Sequence, residues 1–164
     1  MAIIPQDAQL WQGTLRQNLD PLHQYSDEDL YRVLEQARLQ SIVDGHSAGL
    51  LQPVSEGGSN FSSGQRQLMC IARALVRRSS ILVLDEATSN IDLDTDALIQ
   101  KIVRSEFSGT TITIAHRLNT IMDSDRVIVM REGKVAEFDA PSTLLKNKDG
   151  LFYSMAREAG LVST

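Results

Sequence analysis

Two acidic residues directly follow a short aliphatic run near the middle of the chain. The run Ile81-Leu82-Val83-Leu84 leads into Asp85 and Glu86, a pattern typical of a parallel β-strand that is buried on both faces. Ligands of open α/β sheets bind beyond the carboxyl ends of the strands. A carboxylate at Asp85 can hold Mg²⁺ through its oxygens, and one at Glu86 can orient or deprotonate an attacking water. The alternative is that the two acids only begin a loop.

A second segment that could do chemistry is rich in hydroxyl groups and glycine, and it opens a predicted helix. The helix is expected from Gly64 to about Arg77, because apolar residues recur at helical spacing after it starts. Unpaired backbone N–H groups and the positive end of the helix dipole suit an anion such as a γ-phosphate. A serine in this place can also be a plain N-cap. The residues concerned are Ser62, Ser63, Gly64 and Gln65.

The elements around these segments favour an α/β fold. Before residue 79 the pattern is mostly helical, with a helix expected over about 27–40 after the N-cap Ser26. After it, strands and helices alternate, which divides the chain into expected domains 1–78 and 79–164. The later elements are a helix capped by Asp92, a strand over 110–115 that ends at His116, a hairpin around Glu132-Gly133, and a helical stretch from Pro141 through Met155.

Composition narrows the class of protein. With 164 residues, 42% of them apolar and 23% charged, the chain is expected to be globular with one core. A net charge of −5 argues against a nucleic-acid partner. No apolar run approaches the roughly 18 residues that cross a bilayer, and no signal peptide is recognisable. Cys70 stands alone, so a reducing, cytosolic setting and an inert, buried thiol are expected.

The order of these motifs resembles that of the ATP-binding cassette (ABC) family, and the match covers nearly the whole chain. Residues 61–65 resemble the signature motif, 81–86 the Walker B strand, 89–92 the D-loop, and His116 the switch histidine. Gln6, in Ile4-Pro5-Gln6-Asp7, resembles the Q-loop glutamine. Within the family, segments such as Asn18-Leu19-Asp20-Pro21 are similar to the second, C-terminal nucleotide-binding domain of multidrug-resistance-associated exporters.

The sequence departs from the family pattern in three places. Ser63 stands where the family usually has glycine, and Asn90-Ile91 replace the commoner Ala-Leu of the D-loop. No P-loop pattern G-x-x-x-x-G-K-[ST] is present, since the one Gly-Lys pair, Gly133-Lys134, precedes Val135. The expected fold is therefore a partial P-loop NTPase fold with a helical subdomain and a parallel sheet. It would lack the P-loop strand, which the resemblance places beside the Walker B strand, and the exposed edge would make the chain aggregation-prone.

The resemblance implies the cofactors ATP and Mg²⁺ and a role for each motif residue. Gln6 and Asp85 would face the metal, and Glu86 and His116 would serve catalysis. Gln6 would also contact the nucleotide. The other nucleotide-binding residues would be Ser62, Ser63, Gly64, Gln65 and Asp92.

The implied partners are a second nucleotide-binding domain, paired head to tail, and the transmembrane domains of a transporter. Leu10 and Trp11 are candidates for the contact with those domains. The implied function is ATP hydrolysis that drives export of organic anions or drugs, at the cytoplasmic face of a membrane, with little activity in the chain alone because the P-loop is absent. Two alternatives stay open: a non-catalytic module that docks its signature motif on an intact cassette, and a soluble, non-transport ABC ATPase.

Overall fold

The computed structural model describes residues 1–85, 93–115 and 118–162. By backbone contacts the chain divides into two units, Met1–Ile114 and Ala115–Thr164. The boundary expected from the sequence, between residues 78 and 79, concerns subdomains of the family fold and stays a prediction. No described helix combines the length and the apolar character needed to cross a bilayer.

The first unit carries most of the helices and one parallel sheet. Its described strands are β1 (Ala2–Ile4), β2 (Gly13–Thr14), β3 (Pro53–Val54), β4 (Ile81–Asp85) and β5 (Thr110–Ile114). Its described helices are α1 (Leu15–Leu19), α2 (Asp27–Gln36), α3 (Gln40–Asp44), α4 (Ser63–Val76) and α5 (Leu93–Glu106). Strands β2 and β3 pair antiparallel as a small separate ribbon.

The parallel sheet has the strand order β1-β4-β5. Ile4 lies opposite Leu84, and Asp85 lies opposite Ile114, so the three strands end at one edge. Both sides of β4 are hydrogen-bonded to a neighbouring strand. The expectation that a further strand belongs beside the strand ending in Asp85 is therefore wrong, because β1 and β5 already occupy both of its edges.

The sheet is covered on one face by helices of the same unit. Ile4, Leu82 and Leu84 are buried there in one cluster with Met69 of α4 and Ile99 of α5. The side chains of the opposite face are exposed, and they include Ile3 (58%), Ile81 (38%), Ile112 (50%) and Ile114 (49%). The expectation that β4 is buried on both faces is therefore wrong. The reason is that the described helices α4 and α5 pack on the same side.

We expect this exposed face to make the chain self-associate. Ile3, Val83 and Ile112 stand in register across the three strands and form one apolar row. Contiguous exposed apolar surface favours association. The unchanged chain is expected to show a sedimentation coefficient that rises with concentration, and Ile112→Lys is expected to abolish this rise. Leu22→Lys, which also replaces an exposed apolar residue of this unit, is the matched control. Equal sedimentation behaviour of the two variants would contradict the role of this sheet face in self-association.

Helix α2 ends earlier than its apolar periodicity indicates. The Ser26 side chain caps its start by accepting from the Asp29 N–H, as predicted. The helix closes at Ala37 because Arg38 adopts a left-handed backbone (φ 58°). The N–H of Leu39 then bonds to the carbonyl of Leu34 at 2.8 Å, which is a Schellman closure. The predicted helix over 27–40 is thus α2 followed by a separate α3.

The second unit is built around a hairpin. Its described elements are α6 (Leu118–Ile121), β6 (Val127–Arg131), β7 (Lys134–Asp139), α7 (Pro141–Leu144) and α8 (Leu151–Glu158). The predicted hairpin is present, with Glu132 (φ 51°) and Gly133 (φ 74°) in the turn. This pair of positive angles is the primed turn that fits the twist of the strands.

The helical stretch predicted from Pro141 onward is broken into α7 and α8. Glu137 of β7 explains where the second helix begins. Its carboxylate accepts hydrogen bonds from the N–H groups of Leu151 (3.0 Å) and Phe152 (2.8 Å). A carboxylate at a helix N-terminus satisfies orphan donors and complements the helix dipole. Phe152 then packs with Val127 and Val129 as the small core of this unit.

Candidate functional site

The carboxyl edge of the parallel sheet brings together two of the predicted metal-binding residues. Asp85 is the last residue of β4, and Gln6 lies two residues beyond the end of β1, which pairs with β4. Both residues are exposed. The pairing of parallel strands therefore places a carboxylate and a carboxamide at the same edge. Glu86, Asp92 and His116 lie outside the described residues.

The segment with hydroxyls and glycine forms the start of α4, as predicted. Ser62 is the N-cap, and its Oγ accepts a hydrogen bond from the Gln65 N–H at 3.1 Å. In return, Gln65 Oε1 accepts from the Ser62 N–H at 2.9 Å. This reciprocal arrangement is a capping box. It shows that Gln65, predicted as a nucleotide-binding residue, has a structural role in holding the helix start.

The capped helix start still presents donors to solvent. Ser62 and Ser63 are exposed, and the first turn of α4 contains no acidic residue. Because the first N–H groups of a helix have no partner within it, those of Ser63 and Gly64 can donate to a ligand. The Ser62 hydroxyl hydrogen likewise has no acceptor among the described residues. This end of the helix can therefore bind an anion.

Gly64 sits where α4 passes closest to α5. A Cβ atom placed on Gly64 would lie 2.7 Å from Cγ2 of Thr95. Real Cβ contacts are essentially never that short, so any side chain here would require Thr95 or the helix that carries it to shift. Glycine at this position thus fixes how the start of α4 sits on α5.

Two side chains of α4 hold the segment that follows β1, and the sequence analysis identified neither of them. Gln67 is 3% exposed, and its Nε2 donates to the carbonyls of Pro5 (3.1 Å) and Gln6 (2.9 Å). The available signal was a polar residue on the buried side of a predicted helix, in line with Ile71 and Ala74. Its partners lie more than sixty positions away, so the sequence could not reveal them.

Arg73 is the second of these side chains. Its Nε donates to the Asn18 carbonyl at 2.6 Å, its Nη2 to Asn18 Oδ1 at 2.8 Å, and its Nη1 to the Gln9 carbonyl at 3.1 Å. The guanidinium also lies 4.2 Å from the ring centroid of Trp11. Burial lowers the pKa of Arg73, against an opposing effect of the neighbouring Cys70. The arginine thereby fixes residues 9–18 on the helix.

Buried Asn18 completes this arrangement from the other side. Its Nδ2 donates to the carbonyls of Trp11 (2.9 Å) and Thr14 (3.0 Å). Trp11 remains 44% exposed, and its place at a contact surface stays a prediction. Leu10 is only 2% exposed. The contact predicted for Leu10 is therefore wrong, because its side chain belongs to the core of the first unit.

The turn after α1 is organised by a buried carboxylate. Burial alone would raise the pKa of Asp20, but the N–H groups of Tyr25 and Gln24 and the Arg16 guanidinium outweigh it, so the pKa is lowered. The Tyr25 N–H donates to Asp20 Oδ2 at 2.9 Å. The carboxylate is consequently ionised at neutral pH and holds the turn that the segment Asn18-Leu19-Asp20-Pro21 begins.

The cysteine of the chain has no reactive character. Cys70 is buried in α4, on the side that faces the core. Burial raises the pKa of its thiol, and the nearby Arg73 lowers it by less. A thiol with a raised pKa is protonated at neutral pH and is a poor nucleophile. This agrees with the inert thiol expected from its helical spacing.

The geometry and the comparisons with known proteins lead to the same class. Residues 1–89 match the family model described as ABC transporter. The fold is that of a solved structure, a bacterial Atm1-family ABC exporter with ATP bound. The TM-score is 0.85 and the identity 34%, over 99% of this chain and 29% of that one. The chain belongs to the ABC transporter family, and the predicted partial P-loop NTPase fold with a parallel sheet is confirmed.

Curated relatives place the chain more narrowly among proteins similar to the C subfamily. It is 57% identical to ATP-binding cassette sub-family C member 2 of Rattus norvegicus over 98% of its length. It is 53% identical to metal resistance protein YCF1 of Saccharomyces cerevisiae and 51% identical to the vacuolar heme ABC transmembrane exporter abc3 of Schizosaccharomyces pombe, each over 99% of its length. It spans 10–11% of the length of these relatives.

Proposed function

We propose that this chain is part of the ATP-binding and ATP-hydrolysing domain of an ABC exporter, where hydrolysis drives export of organic anions or drugs. The observation that carries the proposal lies in the first unit. One sheet edge presents Asp85 and Gln6, and the capped start of α4 presents unpaired donors. The names of the relatives, which include a heme exporter and a metal resistance protein, support an export role. Such a domain would work at the cytoplasmic face of the membrane.

The sheet edge would serve the nucleotide on the chain's own side. The Asp85 carboxylate and the Gln6 side-chain oxygen are hard oxygen donors of the kind that Mg²⁺ takes. A Mg²⁺ ion held by these two residues would supply neutralisation of the phosphate charge. Glu86, next after Asp85, would orient or deprotonate the attacking water, and His116 would hydrogen-bond the γ-phosphate.

The start of α4 would serve a nucleotide held by a second cassette, paired head to tail with this chain. The Ser62 hydroxyl and the N–H groups of Ser63 and Gly64 would donate to its γ-phosphate. Gln65 would keep Ser62 in place through the capping box. Asp92, in the D-loop, would lie at the same interface. Trp11, half-exposed next to the Q-loop, would face the transmembrane domains.

The chain alone would not turn over ATP at a useful rate. Its sequence contains no P-loop pattern G-x-x-x-x-G-K-[ST], and that loop supplies the lysine and N–H groups that cradle the phosphates. Phosphoryl transfer depends almost entirely on positioning and charge stabilisation. Removal of a single oxyanion-type donor already costs about 3 kcal/mol, so the lack of the whole cradle is decisive.

The test is ATP-dependent association with an intact cassette, meaning one that carries its own P-loop. Association is expected only with ATP, and Ser62→Ala should weaken it at least tenfold. Ser26→Ala is the matched control, since it also removes an N-cap hydroxyl, but from α2; we expect its association within twofold of the unchanged chain. Equal weakening by both variants would contradict the role of Ser62. Brisk hydrolysis by the chain alone, lost in Glu86→Gln, would overturn the proposal as a whole.

A further inference from the structure

Gln67 is a buried primary amide that joins α4 to the backbone following β1. An amide nitrogen carries two N–H donors, and the carbonyls of Pro5 and Gln6 lie 3.1 and 2.9 Å from it. One donor fits each carbonyl. Two consecutive peptide groups therefore face the helix, so the position from which the Gln6 side chain extends is set by α4.

The other half of the same amide shows that Gln67 is not there for packing alone. Gln67 Oε1 is buried and has no hydrogen-bond partner among the described residues. A buried, unpaired acceptor lowers stability, whereas an apolar side chain of similar size would leave no such orphan. A 180° flip of the side-chain amide would not give Oε1 a donor, because Oε1 would then face the carbonyl oxygens of Pro5 and Gln6. What the glutamine contributes is the pair of bonds made by its nitrogen.

The position of Gln67 places it between the two proposed half-sites. Residues 62–65, which would meet the nucleotide of a partner cassette, occupy the turn of α4 just before it. Gln6, which would meet the nucleotide on the chain's own side, is held by it. Arg73, about 9 Å further along the helix at roughly 1.5 Å per residue, holds residues 9–18. A displacement of α4 is consequently transmitted to the whole Q-loop segment.

We propose that Gln67 is a positioning residue that couples the two half-sites: engagement of residues 62–65 displaces α4, and Gln67 passes this displacement to Gln6. The proposal rests on the proposed function, because it takes the start of α4 as the point where a partner's nucleotide binds. It adds that the Gln67 amide links Gln6 to residues 62–65, beside the tie that Arg73 makes to residues 9–18 and independently of the catalytic side chains.

The test follows backbone amide chemical shifts of the isotope-labelled chain after an unlabelled intact cassette and ATP are added. In the unchanged chain, signals of residues 62–65 and of Gln6 and Asp7 are expected to move. In Gln67→Leu, signals of residues 62–65 should still move, and those of Gln6 and Asp7 should move at least fivefold less. Gln52→Leu is the matched control, since Gln52 is 5% exposed and its Nε2 donates to the Ile42 carbonyl. It should respond like the unchanged chain.

The outcomes separate the coupling from the proposed function. Full movement at Gln6 and Asp7 in Gln67→Leu would overturn the coupling and leave the proposed function standing. No movement at residues 62–65 in the unchanged chain would overturn the proposed function and the coupling together. Gln67→Met, which keeps an unbranched side chain, replaces the leucine variant if that variant does not fold. Scalar couplings from Nε2 of Gln67 across its two hydrogen bonds need no variant, and their absence would also overturn the coupling.

Discussion

Replacing Arg73 by alanine is expected to lower the free energy of unfolding of the chain by about 3 kcal/mol. The substitution removes three hydrogen bonds from a charged donor and leaves the Asn18 carbonyl without its partner, whereas Asn18 Oδ1 keeps the Trp11 N–H. A hydrogen bond to a charged group contributes about 1.5–3 kcal/mol. The three do not add in full, because the exposed Gln9 carbonyl can bond water instead and burial of the charged guanidinium offsets part of the gain. The stacking of the guanidinium on Trp11 is lost as well. The sum is large beside a typical total stability of about 5–15 kcal/mol.

Urea unfolding followed by Trp11 fluorescence measures this loss, because Trp11 is the one tryptophan of the sequence and lies beside the substituted residue. Arg77→Ala is the matched control. Arg77 belongs to the same helix end but is exposed, so its removal should change the free energy of unfolding by less than about 0.5 kcal/mol. Arg73→Lys should recover only part of the loss, since lysine lacks the planar fork. Similar unfolding midpoints for the two alanine variants would refute the stabilising role of Arg73.

Gly64→Ala is expected to lower the free energy of unfolding by about 1 kcal/mol net. Alanine favours a helix over glycine by about 1 kcal/mol, so an unhindered site would gain stability. Here the added Cβ would meet Thr95 Cγ2 at 2.7 Å, and overpacking of this kind costs about 1–3 kcal/mol. Threonine has only two common χ1 rotamers in helices, which limits how far the neighbour can turn away. The clash should outweigh the gain.

A second-site change makes this prediction specific. Thr95→Ser removes Cγ2 and keeps the hydroxyl, so the double variant Gly64→Ala/Thr95→Ser should be at least as stable as Thr95→Ser alone. Ser63→Ala, in the same turn but exposed, controls for a change in the first turn itself. Thermal or urea unfolding of the unchanged chain, the two single variants and the double variant completes a double-mutant cycle. Strict additivity of the two changes would show that the contact is absent.

Local patterns predicted the elements that carry the site, because each depends on neighbouring residues. The strand that ends at Asp85, the helix start capped by Ser62 and the hairpin around Glu132-Gly133 all form where the sequence indicates. The end of α2 at Ala37 was not predicted, because the left-handed residue that follows a helix is usually glycine and here is Arg38. Its position is decided by the hydrogen bond from Leu39 to Leu34 rather than by residue type.

Strand order and long-range polar contacts could not be predicted from the sequence. An aliphatic strand has the same kind of sequence whether it pairs with one neighbouring strand or with two. The central place of β4 between β1 and β5 was therefore not recognisable from the sequence. The same holds for Gln67 and Arg73. Each bonds to main-chain carbonyls, which every residue offers and which therefore leave no trace in the sequence.

The capping box at the start of α4 bears on how the proposed triphosphate ligand would be bound. Ser62 and Gln65 restrain one another through two hydrogen bonds, so the conformation of this turn is settled when the chain folds. A ligand that arrives later finds its donors already oriented and loses little affinity to the immobilisation of flexible groups. Tight recognition of γ-phosphate can therefore arise from a few short side chains and main-chain amides, without a long cationic residue to reach for it.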